Sequence, residues 1–205
     1  MEFYEVIKKR RTIRNFSDEK IPEEKILKVL NAGIKAPTYN HLREWEFILV
    51  KDIDLRIKIV NAEGIPESAD MEQLEQSFSN LDSTAKQMYL DAIPKQKSML
   101  LKSPELLVIV FKPKTIVEKS KSVYDLNCLS SVWCCIENIL LALTAENLCG
   151  VTYIPQKSEK IKEVLNIPRQ LEIAAIIPFG YKLKDAAVLP QKKILLEEKL
   201  HFNKW

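Results

Sequence analysis

Hydrophobic positions in this chain recur at two different spacings, and the spacings predict helices and strands in alternation. Apolar residues three, four and seven positions apart predict an amphipathic helix over residues 22–35, which ends before Pro37. The same spacing over residues 125–147 predicts a long central helix that is apolar over most of its surface. Shorter helices are predicted over residues 3–9, 54–60 and 159–165.

Short continuous apolar runs predict strands that are buried on both faces. They cover residues 47–50, 106–111, 151–154 and 172–178. The third run ends at Pro155, which cannot donate a ladder hydrogen bond. Because strands alternate with helices and neither a repeat nor a linker occurs, we expect one layered α/β or α+β domain over residues 1–205.

Two segments differ from this pattern. Residues 61–103 are rich in Glu, Gln and Ser with scattered Met and Leu, and we expect one or two surface helices that form a lid insertion. Residues 182–205 are charged but also carry large apolar side chains, namely Ile194, Leu195, Leu196, Leu200, Phe202 and Trp205. Since a compact monomer offers these side chains no obvious partner, we expect a second subunit to bury them.

Charge and glycine content exclude several classes of binding protein. Lys and Arg number 31 and Asp and Glu 28, so the net charge of +3 is too small to argue for nucleic-acid binding. A Rossmann fingerprint or a P-loop concentrates several glycines in one loop. With only 4 glycines, none of them clustered, the chain lacks both nucleotide-binding motifs.

The cysteines and the apolar segments indicate a cytoplasmic protein. All 4 cysteines lie in or beside the long helix, which is typical of reduced thiols in a cytosolic core. No C-x-x-C pair occurs and there are 2 histidines, so we expect no zinc or other metal site. Polar residues interrupt the long helix, and the N-terminal residues lack the apolar stretch of a signal peptide; we therefore expect no membrane segment.

A basic cluster at residues 10–14 is the sharpest local signal for chemistry. Arg10 and Arg14 are four positions apart, so on a helix or its frayed end both guanidiniums project from one side. With the Thr12 hydroxyl nearby, and with Arg11 adjacent, they suit a bound phosphate. A solvated basic helix end explains the same residues.

A polar loop at residues 37–41 follows the second predicted helix. Its hydroxyl, amide and imidazole groups suit hydrogen bonding to a polar heterocycle, although an ordinary turn has the same composition. His41 is the one plausible acid–base histidine. Lys192 and Lys193 either complete a phosphate site or are simply solvated. Since no nucleophile with an activating partner is evident, the pattern favours chemistry supplied by a cofactor.

Taken together, the sequence resembles the nitroreductase family of FMN-dependent oxidoreductases. The matching segments are RRTIRNF at 10–16, IPEE at 21–24, APT at 36–38, WEF at 45–47, ENILLA at 137–142 and PFGY at 178–181. They extend over nearly the whole chain apart from residues 61–103. The resemblance implies a three-layer α-β-α fold with a central mixed sheet, a long buried core helix and a C-terminal arm exchanged in a homodimer.

The resemblance also implies which residues hold FMN. Arg10, Arg11 and Thr12 would bind its phosphate and ribityl chain, and Lys193 would close on the phosphate. Arg14 would lie near the pyrimidine edge, where a cation stabilises the negative charge of reduced flavin.

Two further segments are implied to contact the flavin. The loop residues Pro37, Thr38, Tyr39, Asn40 and His41 would approach it from the other subunit. The residues Tyr153, Ile154, Pro155 and Gln156 would follow its far edge and donate a backbone N–H to its redox nitrogen. His41 resembles the dehalogenating branch of the family more than the nitroaromatic-reducing branch, and His41 and Arg14 are the candidate catalytic side chains.

The implied activity is reduction of an electron-poor small molecule, such as a nitroaromatic or a quinone, by ping-pong hydride transfer from NAD(P)H. Three alternatives are considered: a reductive dehalogenase or flavin-fragmenting enzyme on the same fold, a flavin-binding protein without turnover, and a basic anion- or nucleic-acid-binding protein. The last rests on the arginines alone.

Overall fold

The computed structural model describes residues 1–205, apart from the side chain of Glu118. The helices are α1 (Phe3–Lys9), α2 (Glu23–Ile34), α3 (Ile53–Glu63), α4 (Met71–Ser77), α5 (Ser83–Ala92), α6 (Gln96–Lys102), α7 (Asn127–Ala145) and α8 (Ser158–Val164). The strands are β1 (Trp45–Leu49), β2 (Glu105–Phe111), β3 (Cys149–Gly150) and β4 (Glu172–Gly180). These bounds confirm the predicted alternation of helices and strands.

The strands form one sheet in the order β1-β2-β4-β3, and each neighbouring pair is antiparallel. In the register of the central pair, Val108 lies opposite Ile176. The sheet becomes mixed at its β3 edge, where Thr12 forms a parallel bridge with Gly150. This bridge attaches the basic segment at residues 10–14 directly to the sheet.

Helices cover both faces of the sheet, so the fold has three layers. Leu107 and Ile109 pack into a core with α2 and α7, whereas Val108 and Val110 pack into a second core with α3, α6 and α8. Alternate residues of a strand point to opposite faces, and both faces of β2 are buried here. This double burial explains why the strand sequence is a continuous apolar run rather than an alternating one.

The long helix α7 packs closely against α2. Its buried residues, Val132, Cys135, Ile136, Ile139 and Leu143, lie on one face. Gly33 of α2 permits the close approach, since a Cβ at this position would lie 2.8 Å from Ile139 Cγ1. The segment Val123–Ala145 is long and apolar enough to cross a membrane by length and composition, but in this fold one face packs within the core. The other face, which includes Trp133, is exposed in the single chain.

A buried arginine ties α3 to the sheet. Arg56 donates from Nε to the Val50 carbonyl at 2.8 Å, and from Nη1 to the Ser103 carbonyl at 2.5 Å. Its Nη2 lies 3.3 Å from the Pro104 carbonyl. The side chain therefore connects the end of β1 with the start of β2, and its burial lowers the pKa of the guanidinium.

The segment at residues 61–103 contains three α-helices, where one or two were predicted. Asp70 caps α4 by accepting from Gln73 N at 3.0 Å, and Asp82 caps α5 by accepting from Thr84 N at 3.0 Å. Each cap satisfies a backbone N–H that lacks an intrahelical partner. The two aspartates therefore start separate helices in a polar stretch whose composition predicted only one or two.

The predicted third strand is shorter than expected. Only β3 and an isolated Tyr153–Ile176 bridge replace the expected strand over 151–154. Pro155 ends the pairing because it has no N–H to donate. Beyond β4 the chain forms an isolated bridge from Lys182 to Phe16 and a short 3₁₀ turn at Leu196–Glu198, and large apolar side chains of the tail such as Leu196, Phe202 and Trp205 are exposed.

Candidate functional site

The basic segment follows the end of α1. The helix ends at Lys9, and residues 10–14 are extended, with Ile13 N donating to the Gly150 carbonyl at 3.4 Å. The expectation that Arg10 and Arg14 lie on a helix or its frayed end was therefore wrong. Of this segment, Arg11, Thr12 and Arg14 line the cavity described next, whereas Arg10 does not.

A cavity of about 440 Å³ opens beside this segment. Arg11, Thr12 and Arg14 form one wall of it. Asp82, Thr84, Ala85 and Met88, at the start of α5, form a second wall. The tail forms the third with Leu189, Pro190, Gln191, Lys192 and Ile194. The site therefore brings together three segments that are far apart in the sequence.

The arginines of the cavity are held by different partners. Arg11 Nη1 donates to the Lys8 carbonyl at 2.8 Å and to the Arg10 carbonyl at 2.7 Å, so it also closes the end of α1. Arg14 Nη1 lies 3.0 Å from Asp91 Oδ2, and both side chains are largely buried. Asp91 also pairs with Lys95 through its other oxygen.

The tail contributes a lysine to the cavity. Lys192 is among the lining residues, and its Nζ is 4.0 Å from Asp82 Oδ2. Lys193, the residue predicted from the resemblance, is exposed and does not line the described cavity in the single chain. Its role toward a phosphate remains a prediction.

The segment at residues 153–156 is fixed from two sides. Tyr153 exchanges backbone hydrogen bonds with Ile176 of β4, at 2.7 and 2.8 Å. The buried carboxylate of Glu63 accepts from Gln156 N at 2.5 Å and from Lys157 N at 3.0 Å. Burial and the nearby Glu63 carboxylate raise the pKa of the Tyr153 phenol, which therefore stays neutral.

The loop at residues 37–41 lies apart from the basic cavity. Tyr39 N donates to Ser131 Oγ at 2.9 Å, which attaches the loop to α7. Asn40 and His41 have φ angles of 49° and 56°, in the left-handed region that few non-glycine residues adopt. Such backbone strain is most often found where a loop has a function.

Two tyrosines meet beside this loop. The hydroxyls of Tyr39 and Tyr124 are 2.5 Å apart, and Lys114 Nζ lies 3.5 Å from the centroid of the Tyr124 ring. The shared hydrogen bond raises the pKa of Tyr39 and lowers that of Tyr124, and the Lys114 ammonium lowers the latter further. Sequence reasoning identified Tyr39 as a site residue but missed Tyr124 and Lys114.

The described part of the chain gathers no cluster of metal-ligating side chains and leaves its cysteines unpaired. No group of three or more potential metal ligands occurs there. Cys128, Cys134, Cys135 and Cys149 are all free thiols. Burial raises the pKa of Cys135 and of Cys149 to about 12, so both remain protonated and are poor nucleophiles.

Sequence reasoning also missed the acidic residues that organise the site. Asp91 pairs with Arg14 across 77 positions, and Glu63 holds a loop 93 positions away. The only local signal was the spacing of Asp91 and Lys95, which at four positions apart suits an ion pair on one helix.

Comparisons with known proteins find relatives over nearly the whole chain. A family model described as the nitroreductase family matches residues 7–181. An iodotyrosine deiodinase of Thermotoga neapolitana is 26% identical over 194 residues, which are 94% of this chain and 95% of that protein. Iodotyrosine deiodinase 1 of Mus musculus is 30% identical over 201 residues, which are 96% of this chain and 68% of that protein.

A solved structure shares the fold. Oxidized iodotyrosine deiodinase bound to FMN and 3-iodo-L-tyrosine superposes with a TM-score of 0.75 at 23% identity, covering 100% of both chains. This likeness confirms the predicted three-layer architecture.

Proposed function

Because this chain belongs to the nitroreductase family, we propose that it is an FMN-dependent oxidoreductase that reduces an electron-poor small molecule with electrons from NAD(P)H. The observation that carries the proposal is the basic cavity between residues 10–14, α5 and the tail. When bound, FMN supplies the redox chemistry, and the protein supplies binding, orientation and electrostatics.

The residues of the cavity fit a phosphorylated aromatic cofactor. Its volume of about 440 Å³ lies in the usual range of small-molecule sites, about 300–1,000 Å³. Arg11 and Thr12, which line the cavity, and the neighbouring Arg10 would bind the phosphate and the ribityl chain, since guanidinium forks match phosphate oxygens. Lys193 would close on it from the tail, next to Lys192, which already lines the cavity.

The backbone leaves one N–H available in the segment that would face the flavin's redox nitrogen. Tyr153 N is bonded to Ile176 and Gln156 N to Glu63, while Pro155 has no N–H. Among the described hydrogen bonds, Ile154 N donates to none. Because Tyr153 directs its N–H toward β4, that of Ile154 points the other way, and we assign the flavin contact to it.

We further propose a cytoplasmic homodimer in which each flavin site uses both chains. Residues 37–41 do not line the basic cavity of their own chain, so they would reach the flavin from the partner. The exposed side chains of the tail, such as Leu196, Phe202 and Trp205, support an arm that packs on the second copy. Four free thiols suit a reducing compartment.

The first experiment is the visible absorption spectrum of the purified protein, before and after anaerobic addition of NADH or NADPH. We expect flavin bands that bleach with a donor. A colourless protein that takes up no added FMN would contradict the proposal. Bands that persist with both donors would instead favour flavin binding without turnover.

The phosphate assignment has its own test. Arg10→Ala removes a guanidinium from the phosphate, so FMN retention should weaken by about 1.5–3 kcal/mol, the scale of a charge-assisted hydrogen bond. The change is measured as the FMN dissociation constant by fluorescence titration. Lys8→Ala, which removes a neighbouring exposed cation, is the control. Equal affinity in the Arg10 variant and the wild type would exclude the assignment.

A second candidate function is reductive dehalogenation of a halogenated aromatic molecule. It is favoured by the relatives named iodotyrosine deiodinases and by His41 at the end of the strained loop. Reduced protein is mixed with 3-iodo-L-tyrosine or with a nitroaromatic, and iodide release and nitro consumption are measured. Faster iodide release supports dehalogenation; faster nitro consumption supports the first candidate.

A further inference from the structure

An ion pair joins the 61–103 segment to the basic cavity. Arg14 and Asp91 are 77 positions apart, yet Arg14 Nη1 lies 3.0 Å from Asp91 Oδ2. Their side chains are only 11% and 13% exposed, so solvent screens the pair far less than a surface ion pair. Met88, three positions before Asp91, lines the cavity, so the same side of α5 that covers the cavity also binds its arginine.

The charges in this cluster do not cancel. Asp91 contacts Arg14 with one oxygen and Lys95 with the other, which leaves a net charge of about +1 beside the cavity. Removing the Asp91 charge would raise it to +2, whereas removing the Lys95 charge would reduce it to zero. The contact with Asp91 Oδ2 also restricts the rotamers of Arg14, whose guanidinium would otherwise be free to turn.

We propose that Asp91 is a positioning residue that holds α5 over the cavity and sets the positive charge that Arg14 presents to the flavin. The inference rests on the proposed function for its effect on FMN. The attachment of α5 to Arg14 stands without flavin and is tested separately.

The first test is the two-electron midpoint potential of bound FMN in full-length variants. A positive charge stabilises reduced flavin, so Asp91→Asn should increase the ratio of reduced to oxidised affinity roughly tenfold, a shift of about +30 mV. Lys95→Gln should shift the potential in the opposite direction. Opposite shifts distinguish an electrostatic role from simple disruption, which would move both variants in the same direction.

The second test needs no flavin. Apoprotein is digested briefly with chymotrypsin, and cleavage after Phe78 and Tyr89 is quantified by mass spectrometry. Asp91→Asn should accelerate this cleavage at least fivefold because α5 is released from Arg14. Lys95→Gln keeps the Arg14 contact and should be cleaved at the wild-type rate. Glu75→Gln, an exposed carboxylate on α4, is the matched control in both tests.

The outcomes separate the two proposals. An unchanged cleavage rate in Asp91→Asn contradicts the attachment of α5, and an unchanged potential with normal FMN binding contradicts the electrostatic role. Failure of wild-type protein to bind FMN contradicts the proposed function, while the digestion still decides whether Asp91 holds α5.

Discussion

The two faces of the sheet are both apolar, but they differ in whether charged side chains are buried beneath the helices that cover them. On the face covered by α3, α6 and α8, the protein also buries Arg56, Glu63 and Lys162, each with hydrogen-bond partners. On the face covered by α2 and α7, the charged side chains that the structure describes are all at least partly exposed. There the outer side of α7 remains uncovered.

The difference shows which side of the sheet is fully packed within a single chain and which side is left partly exposed. Charged side chains stay buried only where hydrogen-bond or ion-pair partners satisfy them, so the face covered by α3 is fully packed within one chain. The α7 face has an apolar contact with α2 on one side and exposed Trp133 on the other. We interpret the α7 face as the side at which a second copy would pack.

The largest effect is expected from replacing the buried Arg56 on the face covered by α3. Arg56→Met leaves three backbone carbonyls without their donor and should cost about 3 kcal/mol of the free energy of unfolding. Urea denaturation measures the loss. Arg169→Met, at an exposed position, should change it by no more than about 0.5 kcal/mol. Similar losses in both variants would mean that the buried hydrogen bonds of Arg56 contribute little to the free energy of unfolding.

The next largest effect concerns association. Replacing Leu196 and Phe202 by Asp places charges on side chains that are 71% and 80% exposed in the single chain. If the tail packs on a partner, the dimer dissociation constant should rise about thirtyfold, or about 2 kcal/mol. Sedimentation velocity measures it, with Lys199→Gln as the control in the same tail. A dimer of undiminished affinity would contradict the proposed arm.

A smaller effect probes the close contact of α2 with α7. In Gly33→Ala the new Cβ meets Ile139 Cγ1 at 2.8 Å and Cys135 Sγ at 3.1 Å. Overpacking of about 1–3 kcal/mol, partly offset by the better helix propensity of alanine, should leave a net loss of about 1 kcal/mol. Combining the change with Ile139→Val removes Cδ1, which lies 2.9 Å from the new Cβ, and should recover part of the lost stability. If Gly33→Ala alone loses no stability, the contact between α2 and α7 has room for the added methyl group.

The smallest effect depends on pH. Burial raises the pKa of Glu105, whose Oε2 is buried without a described partner. A carboxyl with a raised folded-state pKa destabilises the protein as pH rises through its titration. Glu105→Gln should therefore stabilise it at neutral pH by less than about 1 kcal/mol, because part of the group stays solvated. The gain should vanish below the ordinary pKa of glutamate; a gain independent of pH would exclude this cause.

The sheet and its two main helices could be predicted because burial leaves a local pattern. Strand β2 is buried on both faces and appears as an unbroken apolar run, and α2 shows its one buried face as regular spacing. Helix boundaries in residues 61–103 depended on the aspartate caps at Asp70 and Asp82, which hydrophobic spacing does not register.

The site was predictable only in part. The cluster of arginines was visible in sequence, and so was the polar loop that ends at His41. The pairing of Arg14 with Asp91 was not, because contacts between distant segments leave no periodic signal. The extended conformation of residues 10–14 likewise depends on the bridge from Thr12 to Gly150, a contact made only in the folded protein.

Helix α3 anchors both sides of the polar segment that follows it. Arg56 binds the carbonyls at Ser103 and Pro104, where that segment returns to the sheet, and Glu63 lies at the point where it leaves. Since its two ends are fixed by one rigid element, each doubling of the intervening length costs only about 0.6 kcal/mol in closure entropy. The segment can therefore change in length at little cost in closure entropy, provided that the part carrying Asp91 still reaches Arg14.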